Sequence, residues 1–445
     1  MNSSKKQFNI LENIENHISM LKPEPDVAEK VDADTVLAKP EPDVAEKVDA
    51  DTVLAKPEPD VAEKVDANVA PLKRKFDVLK SIEEHIALLE PEFPPQAIIS
   101  IGEYLTKTLL ENHLIDKINN VTPLFVSKSS GEIVKWSQYA IGDNLTLGLD
   151  SRVDTHYWYN VQAFTSKNDA FIARLREKAV RKQDDAIVVS SLWDGIGSGL
   201  LPLLISTLAE SNVMSVALGI LPSRLQSPDV HFNAFSSAGL CMSQNLSPLL
   251  LVDRDCLEAF VGANRDGSIM KGEALISYIL ELMLARGSFV PELSEFSRSL
   301  NAQMFSILPV TGASLNIYGS LENMLDSALH QPLLKFDLSS SSVLYVLIRM
   351  SQQLKDKFTR GRIELSVADW IKKKANLQSV YVSEPIYADE VSDRIDMLLI
   401  VGGFATTTMF AAMEKNIKDA KNNAIKKGFL KENEWQSIVK SLVKD

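Results

Sequence analysis

Apolar residues follow two patterns along the larger part of the chain, residues 96–445. Short runs of mostly branched apolar residues predict buried strands at 97–102, 184–192, 213–221 and 247–253. Stretches with apolar residues at helical spacing predict helices at 103–118, 200–210 and 272–285. This alternation predicts a mostly parallel sheet with helices on both faces. In such a sheet a ligand binds at the carboxyl ends of the strands, close to the first turn of a helix.

The pattern changes after residue 288, and the change predicts a second α/β domain. Its predicted strands are 333–350, 379–387 and 394–404, with a helix at about 366–375. A lysine-rich helical tail follows from Met413. The predicted divisions are an N-terminal extension at 1–95, a first α/β domain at 96–270, a long central helix at 271–288, a second α/β domain at 289–412 and a helical tail at 413–445.

An acidic repeat dominates the N-terminal extension. The sequence KPEPDVAEKVDADTVLA occupies 22–38, recurs at 39–55 and begins a third time at 56. The three copies together have a net charge of −8, out of −12 for the whole chain. A segment so rich in proline and in like charges buries too little apolar surface to offset the entropy lost on ordering. We therefore expect residues 22–70 to be a mostly disordered linker.

A duplicated amphipathic segment brackets this linker. FNILENIENHISMLKPE at 8–24 matches FDVLKSIEEHIALLEPE at 76–92, and apolar residues recur at helical spacing in both. Two copies of one helix on a single linker would raise the avidity for a protein partner, whose identity the sequence does not give. The alternative is that the second copy packs on the rest of the chain and the first is spare.

Composition excludes several classes of protein. Lys and Arg number 47 against 59 Asp and Glu, so no excess of positive charge is present to bind nucleic acid. The only two cysteines, Cys241 and Cys256, exclude a disulfide scaffold and fit a cytoplasmic location. The six histidines are scattered without metal-binding spacing. We expect no signal peptide and no transmembrane segment, because the apolar stretches at 198–221 and 397–413 are too polar or too short.

The candidate chemistry lies in a glycine-rich turn. Asp194-Gly195-Ile196-Gly197-Ser198-Gly199 follows a predicted strand and opens the next helix. Glycines let a backbone approach a ligand closely, and the N–H groups at a helix N-terminus bind anions. The turn is not a Walker A loop, because no Gly-Lys-Ser/Thr follows. Two interpretations remain, a phosphate-binding turn and a tight connection between a strand and a helix.

Several stretches, in the same order along the chain, resemble the tubulin/FtsZ superfamily, and its archaeal tubulin-like (CetZ/FtsZ-like) members in particular. Trp193–Gly199 is similar to that family's phosphate loop GGGTGSG, and Phe232-Asn233-Ala234 to its Tyr-Asn-Ala. The stretch 252–257 resembles its F-D-N-D-x-W motif. Residues 328–348 and 394–404 resemble the beginning and the last strand of its C-terminal domain. Together the matches cover about residues 97–412.

The resemblance implies a Rossmann-like, GTPase-type nucleotide-binding domain at 96–270, which would bind GTP or GDP, with Mg as a companion ion. Members of the family polymerise head to tail, and each subunit completes the hydrolytic site of its neighbour with an acidic loop after the central helix. Here that place holds Glu292 and Glu295, the candidate catalytic pair; the alternative is two glutamates on a solvated turn. The residues that match the family's nucleotide-binding positions are Gly102, Gly195, Gly197, Ser198, Gly199, Asn233 and Arg254.

Two functions follow from these observations. The first is a GTP-binding, filament-forming cytoskeletal protein that acts in cell division or cell shape and, where active, hydrolyses GTP at the subunit interface. The second is a nucleotide-independent scaffold, a pseudo-GTPase that modulates the filament of a paralogous protein. Departures from the family's pattern favour the second: Glu103 and Asp194 would put negative charge beside phosphates, a loop glycine is Leu105, a loop threonine is Ile196, and guanine-reading asparagines are Arg254 and Ile276.

An aromatic cluster stands where the family has a further glycine-rich phosphate loop. Tyr157, Trp158 and Tyr159 follow Asp150 and Asp154 in this stretch. An aromatic cluster can stack on a nucleotide base, or it can pack in a core or an interface. We favour packing.

Overall fold

The computed structural model describes residues 96–112, 114, 121–136, 146–150, 152–180, 185–389 and 392–443. The acidic repeats and both copies of the amphipathic segment lie outside the described residues, so the expectations for them stay predictions. The described residues show how the sequence patterns after residue 95 are realised.

Strands and helices alternate through these residues. The strands are β1 (Gln96–Ile101), β2 (Val121–Ser127), β3 (Thr146–Gly148), β4 (Asp185–Ser191), β5 (Met214–Leu221), β6 (Leu249–Asp253), β7 (Val261–Ala263), β8 (Ile269–Lys271), β9 (Met304–Ser314), β10 (Val343–Ser351), β11 (Ser379–Val382), β12 (Ile386–Ala388) and β13 (Arg394–Gly402). The helices are α1 (Glu103–Glu111), α2 (Ser130–Trp136), α3 (Trp158–Thr165), α4 (Asp169–Ala179), α5 (Gly195–Glu210), α6 (Pro228–Gln244), α7 (Arg254–Ala259), α8 (Gly272–Ala285), α9 (Phe289–Ser299), α10 (Leu315–Tyr318), α11 (Leu321–Ala328), α12 (Arg360–Lys372), α13 (Thr407–Asn416), α14 (Lys418–Lys426) and α15 (Glu432–Leu442).

Eleven strands of the described residues form one sheet. Its order is β3-β2-β1-β4-β5-β6-β9-β13-β10-β11, and β12 also pairs with β10. The strands from β3 to β9 in this order are parallel. β13 is antiparallel to both β9 and β10, whereas β11 and β12 are parallel to β10. The predicted mostly parallel sheet is therefore confirmed.

Helices cover both faces of this sheet, which explains why its strands read as continuous apolar runs. Every residue of β9 and of β10 is buried. α5 and α6 pack on one face, and α1, α8 and α9 pack on the other. Because β1, β4, β5 and β6 are parallel, their carboxyl ends lie together at one edge of the sheet. The predicted ligand residues are found at this edge.

The three C-terminal helices pack on α6. Trp435 of α15 is fully buried, and its ring stacks on Phe232 and Phe235 of α6 with centroids 5.9 and 5.2 Å apart. Gly239 makes room for this contact, since a Cβ there would lie 2.5 Å from Cγ2 of Ile438. The helical tail that the sequence predicted is thus an integral part of the core on this face.

Some predicted elements were wrong in their bounds. Of the long strand expected at 333–350, only β10 forms. Before it, Asp337 accepts the backbone N–H of Ser339 and caps a short 3₁₀ helix, Leu338–Ser340, in place of a strand. α5 begins at Gly195 rather than at residue 200. The acidic loop expected after the central helix, with Glu292 and Glu295, is the body of a helix, α9.

The central helix was predicted correctly, since α8 spans Gly272–Ala285. β6 and β9, which flank it in the chain, pair with each other, so one sheet continues through both predicted α/β domains. The domain boundaries themselves stay a prediction. No single described helix is long and apolar enough to cross a membrane, although α8 and α9, bent by 89° at their junction, pass that test as a pair.

Candidate functional site

The glycine-rich turn lies at the carboxyl end of β4, as the sequence predicted. β4 ends at Ser191, and α5 begins at Gly195, with three residues between them. Gly102, at the carboxyl end of β1, lies beside the turn, since a Cβ on Gly102 would be 3.0 Å from Oδ2 of Asp194. The structure therefore brings together five of the predicted binding residues, Gly102, Gly195, Gly197, Ser198 and Gly199.

The glycines of the turn are required by contacts within the chain. A Cβ on Gly197 would lie 1.9 Å from the carbonyl oxygen of Ser191, and one on Gly195 would lie 2.5 Å from that of Thr155. Neither backbone neighbour can move without shifting a strand or a connecting segment. The glycine pattern is thus explained by internal packing before any ligand is considered.

Asp194 closes the N-terminus of α5. Its Oδ1 accepts the backbone N–H of Gly197 at 2.5 Å, and its Oδ2 accepts the hydroxyl of Ser191 at 2.9 Å. Its carbonyl oxygen accepts the N–H of Ser198 at 3.0 Å. An aspartate in this position is a strong helix cap, and its charge suits the positive end of the helix dipole. The side chain therefore supplies the negative charge that a bound anion would otherwise bring.

Burial makes this carboxylate unusual. Burial raises the pKa of Asp194 to about 6, against the opposing effect of hydrogen bonds from Gly197, Ser191 and Ile196. The negative charge of Glu103 raises the pKa further. At neutral pH Asp194 is still mostly ionised, so a second anion at the same helix end would be repelled.

A covering segment, residues 152–157, lies against the turn. The carbonyl oxygen of Thr155 accepts the N–H of Gly195 at 3.0 Å. In the first turn of α5 the N–H groups of Gly195, Gly197 and Ser198 thus have acceptors within the chain: Thr155 for Gly195 and Asp194 for the other two. These are the groups that would hold a phosphate in the predicted site.

Asn233, another predicted binding residue, holds the covering segment in place. Its Oδ1 accepts the N–H of Trp158 at 3.0 Å, and its Nδ2 donates to the carbonyl oxygens of His156 at 2.8 Å and Trp193 at 3.2 Å. The residue is 1% exposed. Its amide group is fully engaged by the backbone on both sides of the glycine turn, so its observed role is structural.

The aromatic cluster packs, as the sequence favoured. Trp158 and Tyr159 are buried, and the rings of Tyr157, Tyr159 and Phe429 form a parallel stack with successive centroids 5.0 and 4.7 Å apart. The hydroxyl of Tyr157 donates to Oδ1 of Asp229 at 2.9 Å. Burial, and then this hydrogen bond, raise the pKa of Tyr157 to about 12. The covering segment is therefore anchored to α6 and to the C-terminal helices.

Arg254 lies beside the turn, on an aromatic surface. Its guanidinium lies 5.4 Å from the ring centroid of Tyr104 and 5.2 Å from that of Trp193, and it donates to Oε1 of Glu258 at 2.7 Å. Tyr104 and Trp193 meet edge to face at 4.9 Å. Two aromatic rings and one cation thus fill the space between the ends of β4 and β6 and the first turn of α1.

The candidate catalytic pair is divided between two environments on α9. The carboxylate of Glu292 accepts hydrogen bonds from Arg286 at 2.9 Å, from the hydroxyl of Tyr345 at 2.9 Å and from the hydroxyl of Ser288. Glu295 is exposed. Only Glu295 is therefore placed to meet another molecule without breaking bonds inside this chain.

A nucleotide phosphate does not fit the turn as it is arranged here, because the N–H groups of α5 already have acceptors and the acceptor beside them is anionic. Two residues that depart from the family's pattern, Leu105 and Ile276, are core residues with 0% exposure. In the part of the chain that the structure describes, no three His, Cys, Asp or Glu side chains are grouped to hold a metal ion. The Mg expected with a nucleotide stays a prediction.

The fold and its glycine turn define a class of α/β protein, and comparison with solved structures identifies that class. No protein-family model and no curated protein matches the sequence. Solved structures of tubulin-like proteins do match in three dimensions, at 12–18% sequence identity. The chain therefore has the tubulin/FtsZ fold, of the CetZ-like type.

Three archaeal structures illustrate the likeness. CetZ from Methanosaeta thermophila superposes with a TM-score of 0.56 and 14% identity, covering 78% of this chain and 99% of that one. CetZ1 from Haloferax volcanii, a GDP-bound monomer, gives 0.58 and 16%, covering 73% and 99%. CetZ2 from the same organism, a GTPγS-bound protofilament, gives 0.57 and 18%, covering 74% and 99%. The predicted fold class is confirmed.

The sequence did not predict that Asp194 and Thr155 would accept hydrogen bonds from the N–H groups of the turn. One signal was available, because an aspartate directly before a helix is a common N-cap. The role of Thr155 and the threefold bonding of Asn233 had no local signal, since their partners lie far away in the sequence.

Proposed function

We propose that this chain is a self-associating cytoskeletal scaffold of the tubulin/FtsZ fold that works without bound nucleotide. It would join or modulate filaments of related subunits in the cytoplasm, in cell division or the control of cell shape. One observation carries the proposal: the N–H groups that open α5 are bonded to Asp194 and Thr155. A phosphate would have to displace a buried carboxylate and a tethered backbone segment before it could bind.

The first prediction concerns nucleotide content. We expect purified full-length protein to release no stoichiometric guanine nucleotide on heating, and to sediment equally with and without GTP. The physical reason is the occupied helix N-terminus. Nucleotide release can be quantified by ion-exchange chromatography, and assembly by pelleting.

A matched variant makes this test sharper. Asp194→Gly removes the anionic cap, and replacing a cap by glycine typically costs only a few tenths of a kcal/mol. We expect this variant to bind GDP more tightly than the wild type. Stoichiometric GDP or GTP in the wild type would overturn the proposal.

The second candidate function is GTP binding and hydrolysis in a filament. The observation that favours it is the likeness to structures determined as a GDP-bound monomer and a GTPγS-bound protofilament. In that case Gly102, Gly195, Gly197, Ser198, Gly199, Asn233 and Arg254 keep their predicted binding roles after a rearrangement of the turn. Glu292 and Glu295 keep their predicted catalytic role.

The second prediction separates these two glutamates. Glu292→Ala should lower the free energy of unfolding by about 1–3 kcal/mol, because Arg286 and Tyr345 lose a partly buried partner. Glu295→Ala, at an exposed site, should change it by less than about 0.5 kcal/mol. Urea unfolding of both variants measures this. Phosphate release on the same samples tests catalysis, and turnover unchanged by Glu295→Ala would remove that residue from the mechanism.

The duplicated segment at 8–24 and 76–92 is proposed to bind a protein partner. Two copies on one chain would then increase the avidity for an assembly that binds both. The chain's own residues do not identify this partner.

A further inference from the structure

An ordered turn presents an almost fully exposed leucine at the carboxyl edge of the sheet. It connects β5 to α6, and the side chain of Leu225 at its tip is 97% exposed. Gln226 closes the turn, since its N–H donates to the carbonyl oxygen of Ser223 at 3.0 Å and its side chain accepts the N–H of Ser223 at 3.0 Å. The N–H of Arg224 donates to Oδ2 of Asp255 at 3.0 Å, which fixes the turn to α7. A side chain on an ordered backbone loses less conformational entropy when a partner covers it.

Two exposed apolar side chains lie at the opposite edge of the same strands. Met214 begins β5 and Leu246 precedes β6, and their side chains are 37% and 43% exposed. The residues that follow them are joined, because the hydroxyl of Ser247 donates to the carbonyl oxygen of Ser215 at 2.6 Å. Met214 and Leu246 are therefore neighbours at the amino edge of the sheet.

A carboxylate borders this apolar pair. The hydroxyl of Ser294 on α9 donates to the same carbonyl oxygen of Ser215 at 3.4 Å, and Glu295, the next residue, is exposed. Met214, Leu246 and Glu295 together are called the amino-edge patch. The patch thus offers apolar surface with one anion beside it.

The turn has the complementary chemistry. Beside Leu225, the side chain of Arg224 is 64% exposed. The carboxylates of Asp253 and Asp255 lie 3.9 and 3.8 Å from its guanidinium, which is too far for a hydrogen bond, so the guanidinium can donate to a further carboxylate. One apolar side chain and one cation on the turn match the apolar pair and the anion of the amino-edge patch.

These two surfaces lie at opposite ends of one strand. β5 runs from Met214 at the amino edge to Leu221, and the turn follows it at the carboxyl edge. A second copy translated along the direction of β5 therefore brings its amino-edge patch over the turn of the first copy. Because two different surfaces meet, each end of the pair keeps one surface free, and the contact can repeat along a row of copies.

We propose that the turn of one copy of this chain binds the amino-edge patch of the next copy. Leu225 would pack against Met214 and Leu246, and Arg224 would pair with Glu295. This inference rests on the proposed self-association and names the residues that join the copies. It gives Glu295 a role in assembly that requires no nucleotide.

A pair of exposed leucines provides a variant and its matched control. Leu225→Asp places a charge against the apolar pair, and we expect it to weaken assembly by about tenfold or more. Leu365→Asp changes a leucine of α12 that is 67% exposed and belongs to neither surface, so it should leave assembly unchanged. Sedimentation of the full-length proteins over a range of concentrations measures this. Assembly of Leu225→Asp equal to that of the wild type, or an equal loss in both variants, would overturn the proposal.

Disulfide trapping between different copies tests which surfaces meet. Both full-length proteins carry Cys256→Ser, which removes the partly exposed thiol; one also carries Leu225→Cys and the other Leu246→Cys. After mixing and oxidation with copper phenanthroline, we expect mass spectrometry to find peptides joined between positions 225 and 246. The protein with Leu225→Cys alone should give no link between two copies of position 225. Absence of the 225–246 link, or 225–225 links in its place, would contradict the inferred contact.

Exchanging the two charges tests the ion pair. Glu295→Arg should weaken assembly at low ionic strength, where charges are least screened, because two cations would then face each other. Adding Arg224→Glu to that variant should restore assembly. A double variant that assembles no better than Glu295→Arg would overturn the assignment of this pair.

Nucleotide content separates this inference from the proposed function. Stoichiometric guanine nucleotide in protein that forms the 225–246 disulfide defeats only the proposed nucleotide-free scaffold. Nucleotide-free protein that assembles without forming this disulfide defeats only the inferred contact.

Discussion

Replacing Asp396 with alanine is expected to lower the free energy of unfolding by about 3–5 kcal/mol. Asp396 is 0% exposed and accepts four hydrogen bonds, from elements that are far apart in the chain. Its donors are Nη1 of Arg265 at 2.6 Å, Nε of Arg349 at 3.0 Å, the hydroxyl of Tyr278 at 2.6 Å and the N–H of Gly312 at 2.7 Å.

The cost is large because the alanine variant would leave buried cations without their main counter-ion. Arg349 would keep the carboxylate of Glu281, whose Oε1 lies 2.7 Å from its Nη1. Burial, and then the charge of Asp396, raise the pKa of Tyr278, so its hydroxyl remains a donor and would lose its acceptor. The network joins α8 to β9, β10 and β13, so its loss should loosen the central helix from the sheet.

Urea unfolding followed by tryptophan fluorescence measures this change. Glu384→Ala is the control, since its ion pair with Arg360 spans 3.7 Å and its side chain is 52% exposed. That variant should lose less than about 1 kcal/mol. A loss below about 1 kcal/mol for Asp396→Ala would show that the network is replaced by solvent or by rearrangement.

Replacing Asp194 with asparagine should stabilise the protein at neutral pH and flatten its stability below pH 7. The folded state raises the pKa of Asp194 from 3.8 to about 6, so folding favours the protonated carboxyl. That contribution is fully present below pH 3.8 and is lost as the pH rises through about 6. The shift corresponds to about 3 kcal/mol at most, and asparagine caps a helix equally well without a charge.

Unfolding free energies measured from pH 4 to pH 8 test this expectation. The two proteins should be similar near pH 4, and the variant should be the more stable above pH 6. Asp337→Asn is the control with the opposite sign: hydrogen bonds from the hydroxyl and N–H of Ser339 lower the pKa of Asp337, so its loss should not add stability at neutral pH. A wild type that exceeds Asp194→Asn in stability at pH 7 would contradict the argument.

The same substitution bears on the proposed function. A neutral cap removes the charge that opposes a phosphate, but it leaves Thr155 and the covering segment in place. We therefore expect Asp194→Asn to gain less nucleotide affinity than Asp194→Gly, whose cap no longer occupies the N–H of Gly197. Two independent parts of the chain thus occupy the N–H groups of the turn: the side chain of Asp194 and the backbone of the covering segment.

The predicted site was partly recoverable from the sequence. Strand ends and glycines placed Gly102 and residues 195–199 together, because parallel strands present their carboxyl ends at one edge. Asn233 and Arg254 were assigned by resemblance alone. In the structure the side chain of Asn233 hydrogen-bonds to the backbone of His156, Trp158 and Trp193. The guanidinium of Arg254 lies over the rings of Tyr104 and Trp193. Contacts between residues that are far apart in the chain produce no periodic pattern in the sequence, so a sequence pattern does not predict them.

Local patterns by themselves determined the α/β class, the mostly parallel sheet, α8 at 272–285 and the place of the glycine turn. These features depend on the spacing of apolar residues and on the backbone freedom of glycine, which act over a few residues. Only the tertiary structure decided what bonds to that turn, that Glu292 faces inward and Glu295 outward, and that Asp396 ties the central helix to the sheet. Those outcomes depend on burial and on contacts between distant segments, which exist only once the chain has folded.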